Sequence, residues 1–334
     1  MIPTSEISAR NHSIVQRSDN PDSEFEKDEE FWFEDGNTVL ISRDVGFRIH
    51  RGIVSRHSEV FRDLFTLPQP TNAEKVHDCP VVSLSDSPME LRILLRAIYN
   101  GQRYNRCEQA EFWEVATVVR LSQKYLMEEL YEDGLACLKT CLTDDFNVWD
   151  RISRADDCSS PVMHFDFEDA IAAVNLARLT HTDSMLPIAL YLCCQLDSEA
   201  LVRGIVRPDG IVEQLSPEDL MRCIDAAVSL SARNTSRHLL LDVSPDCACR
   251  SICFPRLQQI IIRLFNTPDV LESCDVLSSA DSTIDSFDGL CTECISCLKT
   301  EDLERRLRCW DELPSLMDVA VPGWGSGDES MTTN

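Results

Sequence analysis

Phe47-Arg48-Ile49-His50-Arg51, and then Ser58-Glu59-Val60-Phe61-Arg62-Asp63-Leu64-Phe65, mark the place where the period of the sequence changes. Upstream, Thr38 to Arg43 alternates: Val39 and Ile41 share one face, Leu40 and Ser42 the other. Asp44-Val45-Gly46 reads as a turn, after which Phe47 and Ile49 resume the alternation. Period two on both sides of a Gly-containing turn predicts a β-hairpin. From Arg51 the apolar residues spread to helical spacing, with Ile53, Val54, His57, Phe61, Leu64 and Phe65 suiting two short helices. Pro68 and Pro70 stop them, because proline cannot continue a helix.

Beyond this hairpin and helix pair, Pro80 to Ser85 predicts one more short strand. Ser87-Pro88-Met89-Glu90 then opens a helix: Ser87 can cap, Pro88 suits the first helical position, and Glu90 completes a capping box. Leu91, Leu94, Leu95 and Ile98 continue it, and Asn100-Gly101 ends it. Further helices are expected around Phe112 to Val119, Leu130 to Leu142, Phe146 to Ile152, Asp169 to Leu179 and Met185 to Leu196. Ser216-Pro217-Glu218-Asp219 repeats the capping arrangement, and Leu257 to Phe265 and Leu290 to Trp310 close the series. Asp242 to Cys253 reads as loop and Ser278 to Asp288 as a Ser/Asp linker. The expected fold class is α+β in the N-terminal part, a short sheet flanked by helices, followed by an all-α extension. The expected division is an acidic disordered tail over 1–29, a first domain over 30–145, a helical extension over 146–320 and a disordered tail over 321–334.

The chain of 334 residues carries 57 acidic against 31 basic side chains, a formal charge of -26. Phosphate recognition needs clustered Lys and Arg, so this balance argues against a nucleic-acid partner and against an anionic membrane surface. No apolar stretch reaches 18 residues and the first 30 residues hold no apolar core, so the expected location is cytoplasmic or nuclear. Sixteen cysteines are then expected as thiols, metal ligands or small core residues rather than as disulfides. The glycine patterns of phosphate loops, the nucleophile elbow and the paired histidines of zinc proteases are all missing, so the chain is read as no enzyme, with no cofactor.

The run Phe31 to Ile41, the Phe47-Arg48-Ile49-His50 element and the Ser58 to Phe65 helix together resemble a BTB/POZ domain. Leu67-Pro68-Gln69-Pro70, Cys79 to Pro88 and Leu94 to Gly101 resemble the form of that domain common in basidiomycete fungi, as does Trp310-Asp311-Glu312-Leu313-Pro314 near the other end. The resemblance covers roughly residues 30 to 145. It implies a protein-interaction module that forms a homodimer, recruits other proteins, or serves as substrate adaptor for a cullin ubiquitin ligase. Cullin-binding members often carry a hydrophobic-x-Glu element after the third helix, and Gly101 to Arg106 contains none, which weighs against the adaptor.

The candidate partner interface is Phe31, Trp32, Phe33, Asp35, His50 and Arg51. Three rings in succession cannot all face one core, because side chains alternate along a strand, so one or more is either offered to a neighbouring surface or folded back. Asp35 and Arg51 match an acidic and a basic position that the family places near one another in a dimer groove. His50, at a strand-to-helix junction, can equally satisfy local backbone groups. The candidate metal ligands are Cys247, Cys249 and Cys253 with Cys291, Cys294 and Cys297. A structural zinc needs four thiolate or imidazole ligands, which two clusters together supply, and a zinc-stabilised regulatory protein is the alternative function. Three-residue steps in a helix also place small apolar residues on one face, so buried thiols remain the other reading.

Overall fold

The structure, a computed structural model, describes residues 25–67, 75–101, 109–154, 158–267 and 273–325. The described residues divide into two compact units: 25–51 with 75–88, and 52–67 with those from 89 onward.

The first unit is a five-stranded sheet of β1 (Glu26–Trp32), β2 (Thr38–Ser42), β3 (Val45–Ile49), β4 (Lys75–Val76) and β5 (Cys79–Leu84) in the order β1-β3-β2-β5-β4. β2 and β3 are antiparallel with Leu40 opposite Phe47, whereas β1 runs parallel to β3 and β5 parallel to β2. The hairpin exists as expected, but its turn is Arg43-Asp44, with Arg43 at φ 53°. Gly46 lies inside β3, and a Cβ there would stand 2.3 Å from the Phe25 ring, so the glycine makes room for that ring rather than for a turn. On one face Val39, Val76 and Cys79 form a small core edged by Phe25, Trp32, Ile41 and Val81.

β1 corrects the expected domain start. Residues 26–29 were assigned to a disordered tail because Glu26, Lys27, Asp28, Glu29 and Glu30 have little to bury. They form an edge strand instead. The Asp28 carboxylate accepts the backbone N–H groups of Glu30 at 3.0 Å and Phe31 at 2.8 Å, and the Lys27 ammonium lies 4.8 Å over the Trp32 ring. Charged side chains on an exposed edge are a usual guard against strand-to-strand aggregation. The rest of that tail, 1–24, lies outside the described residues.

The second unit is helical: α1 (Arg51–His57), α2 (Glu59–Thr66), α3 (Pro88–Asn100), α4 (Phe112–Lys124), α5 (Glu128–Leu138), α6 (Phe146–Ile152), α7 (Ala170–Thr180), α8 (Leu186–Cys193), α9 (Ser198–Arg203), α10 (Pro217–Leu239), α11 (Arg250–Phe265), α12 (Asp281–Asp285) and α13 (Thr292–Leu316). Ser58 caps α2 by accepting the Phe61 N–H at 3.0 Å, and Ser216 caps α10 by accepting the Asp219 N–H at 3.1 Å. Among the described residues after Phe146, strand is confined to the two-residue pieces β7 (Met163–His164), β8 (Ile205–Val206) and β9 (Val212–Glu213). β7 pairs with β6 (Ala110–Glu111), and β8 with β9. The helical character of the extension therefore stands. Two segments differ from expectation. Cys249 ends a loop and α11 begins at Arg250, with Pro255 inside it, and Asp281–Asp285 is a short helix within the expected linker.

The main core of this unit is built around α8, every residue of which is buried. Trp149 and Trp310 lie beside it, with ring centroids 6.3 Å apart, and Trp310 stacks on Trp324 at 4.9 Å. Trp324 also donates its indole N–H to the Trp310 carbonyl at 2.8 Å. The C-terminal tail expected from residue 321 is thus structured through Trp324, and residues 326–334 lie outside the described part.

α4 and α5 approach through Gly134: a Cβ there would stand 2.5 Å from a methyl of Val119, which is fully buried. Although alanine favours helix over glycine by about 1 kcal/mol, Gly134→Ala is expected to destabilise by about 1–3 kcal/mol, because overpacking forces neighbours apart. Urea denaturation of the two proteins reads the sign; a variant more stable than the parent would mean the helices separate freely.

Candidate functional site

The six interface candidates all belong to the sheet unit. The pairing of β1 shifts register between Lys27 and Trp32, and Phe31 is buried, 3% exposed, while Trp32 is half-buried. Trp32 packs between Phe25 at 6.1 Å and His77 at 5.7 Å, ring to ring. Phe33, also half-buried, contacts Phe31 at 6.2 Å and His50 at 5.0 Å. Of the aromatic run, Trp32 and Phe33 therefore remain accessible and Phe31 is corrected to core.

Asp35 was expected beside Arg51. In the structure its carboxylate meets His50 Nε2 at 3.1 Å, while the Arg51 backbone N–H donates to Asn37 Oδ1 at 2.8 Å. The reason is the chain path: β2 and β3 set Thr38 opposite Ile49, the Asn37 N–H donates to the Ile49 carbonyl at 3.0 Å, and His50 is the first side chain past that rung. Phe33, Asp35 and His50 thus form one continuous surface of ring, carboxylate and imidazole. Asp35 is 86% exposed, so the contact is worth only about 0–1 kcal/mol. Asp35→Asn is expected to leave the melting temperature almost unchanged; a drop of several degrees in a thermal melt would assign the contact a structural role.

The cysteines rearrange relative to their spacing. Cys247, Cys249, Cys253 and Cys291 bring their four sulfurs within 4.8 Å of one another. The neighbouring separations are 4.0 Å for Cys247 to Cys249, 3.6 Å for Cys249 to Cys253 and 3.7 Å for Cys247 to Cys291. The Cys291 N–H points at the Cys253 sulfur at 3.4 Å. Such a set can hold a metal ion. Cys297, also a candidate, lies outside this set; so does Cys294, although its thiol contacts those of Cys247, Cys253 and Cys291. Cys291 is the residue before α13, so each three-residue step moves the next cysteine up the helix axis. Cys294 is buried in the local core beside Leu257 and Leu298, and Cys297 turns to Glu301 at 3.8 Å.

One feature of the helical unit had no signal in the sequence. A cleft of about 770 Å³ is lined by Glu90, Arg120, Arg207, Asp209 and Glu213, among others. Glu90 accepts from Arg120 at 2.8 Å and Arg207 at 2.9 Å, and Arg207 also reaches Glu213 at 3.0 Å and Asp209. Burial opposes the Arg207 charge, but the hydrogen bonds it donates to Asp209 and Glu213 outweigh that and raise the guanidinium further. In the same cleft burial pushes Asp169 up to about 6. Two arginines, Arg120 and Arg207, stand against six carboxylates in this lining, so the cleft carries net negative charge. Among the described residues no helix is long and apolar enough to cross a membrane.

No curated protein matches the chain. Residues 33–140, which carry the β2–β3 hairpin, the Ser58-capped helix and α3 to α5, match the family model of the BTB/POZ domain, a protein-interaction fold.

Proposed function

We propose that this chain is a non-catalytic interaction protein that self-associates and recruits other proteins through its BTB/POZ domain, with the helical extension offering a second surface. The observation that carries the reading is the match of residues 33–140 to a fold whose use is protein binding. The accessible Trp32 and Phe33 and the nearby Arg51 are residue types enriched in interfaces, with Asp35 and His50 suited to a polar rim. The formal charge of -26 leaves nucleic acid and anionic membrane outside the partners proposed; the proposed place of action is the cytoplasm or nucleus. The likeness of Trp310 to Pro314 and of the Pro-rich Leu67 to Pro70 stretch supports a protein of the fungal, basidiomycete type.

Self-association is tested by co-expressing two copies with different tags. Capture of one tag is expected to retain the other copy, and Trp32→Ala with Phe33→Ala to reduce the amount retained; failure of the parent pair to co-purify overturns the reading. A cullin ubiquitin-ligase adaptor is the more specific form. Because Gly101 to Arg106 lacks the hydrophobic-x-Glu element, a self-associating scaffold is favoured over it, and direct titration against a purified cullin decides between them.

The four-sulfur cluster favours a second reading, a regulatory protein whose C-terminal helices depend on zinc. Its test is whether partner capture changes when the metal is stripped by a chelator.

A further inference from the structure

We infer that Cys247, Cys249, Cys253 and Cys291 form a closed, structural zinc site that joins the loop before α11 and the first turn of α11 to the start of α13. Three observations carry this. The first is distance. Four sulfurs around a zinc ion at about 2.3 Å stand about 3.8 Å apart along each edge of the tetrahedron. The neighbouring sulfurs here are 3.6, 3.7 and 4.0 Å apart, and all lie within 4.8 Å. The separations are far from the roughly 2.05 Å of a disulfide.

The second is the donor set. It is thiol only: no carboxylate or imidazole is among the four. Soft thiolates select zinc over magnesium, calcium or manganese. Four protein ligands also leave no open position for water or substrate, which is the arrangement of a structural rather than a catalytic zinc. The Cys291 backbone N–H directed at the Cys253 sulfur is the kind of outer contact that stabilises a bound thiolate.

The third is what surrounds the cluster. Val243, Cys253, Leu257, Ile284, Cys294 and Leu298 form a core separate from the main one. So small a core has little apolar area to bury, and small cores of this kind commonly rely on a metal or a cross-link. Three ligands come from seven consecutive residues, and the fourth follows Cys253 after 38 positions, so one ion closes the loop that contains α11 and α12. Binding replaces each S–H proton by a bond to the ion, and the released protons go to solvent.

The inference supplies the ion and the ligands that the second functional reading requires, and it is separable from that reading: metal content tests the site, partner capture tests the regulation. The full chain is purified without chelator from cells grown in zinc-supplemented medium, and its metals are counted by mass spectrometry. One zinc per chain is expected. Cys247→Ser and Cys291→Ser should each lose at least nine-tenths of it, and Cys297→Ser, whose thiol points at Glu301, should keep it. Cobalt added to the stripped protein is expected to give the visible absorption of a tetrahedral thiolate site. Because the parent alone is decisive, a variant that fails to fold does not blunt the test. A parent with less than one-tenth of a zinc per chain and no cobalt spectrum overturns the site, as does zinc retained at full level by Cys291→Ser.

Discussion

Asp302→Ala is expected to destabilise the folded chain by about 3–5 kcal/mol, the range for stripping one partner from a buried ion pair. Asp302 lies on α13 and is 5% exposed at its side chain. One of its oxygens takes the Arg237 guanidinium at 2.6 Å, and the other takes Arg306 at 3.2 Å and the Ala280 N–H at 3.3 Å. Arg237 and Arg306 are themselves buried, and Arg306 also reaches Asp150 on α6. Removing the carboxylate leaves two buried guanidinium groups with the carbonyls of Ser278 and Leu277, the Asp150 carboxylate and, for Arg306, the Phe146 ring at 5.5 Å. Urea denaturation followed by tryptophan fluorescence reads the effect, since Trp149 and Trp310 sit in the main core of the same unit. The triple variant Arg237→Met, Asp302→Leu, Arg306→Met removes the charges together and should recover most of the loss, because a buried charge network is often replaced by apolar residues at no net cost. An Asp302→Ala midpoint equal to that of the parent would mean that water reaches the network.

Phe61→Ala is expected to cost a similar amount, about 3–5 kcal/mol, through the cavity it leaves. The ring is 1% exposed and stacks on Tyr125 at 4.5 Å and on Phe65 at 5.8 Å. Its anchorage is local as well as tertiary: Ser58 caps the helix on the Phe61 N–H and donates its own hydroxyl to the Tyr125 carbonyl at 2.6 Å. The α2 helix is therefore fastened to the end of α4 by one ring and one hydroxyl. A thermal melt compares Phe61→Ala with Asp35→Asn; the first should fall by many degrees and the second stay near the parent. An unchanged melt for Phe61→Ala would place the ring on the wrong face of its helix.

Elements that announce themselves within a few residues were legible in the sequence. The β2–β3 alternation, Ser58 three residues before Phe61, and Ser216-Pro217 ahead of Leu220 each encode their structure locally, and each is present. β1 was not legible, because its signal is a run of charges; what makes it a strand is backbone pairing with β3 and the Asp28 carboxylate turned onto its own chain. The Arg237–Asp302 pair spans 65 residues, and in so acidic a chain an aspartate on a helix looks like any solvated one. The cysteine site was legible by half. The spacing of 247, 249 and 253 marked three candidate ligands, but the even steps of 291, 294 and 297 belong to a helix, and only the fold shows that Cys291, before its first turn, comes within 4.8 Å of all three.

The central claim is that the BTB/POZ domain brings copies of this chain together, and sedimentation equilibrium of the untagged protein at tens of micromolar tests it most directly. The account predicts a particle of twice the 37.8 kDa chain mass at physiological salt. It also predicts dissociation as salt is removed, because two chains of charge -26 repel over about 30 Å at 0.01 M salt but only about 8 Å at physiological strength. A mass of one chain across that concentration range at physiological salt would contradict it.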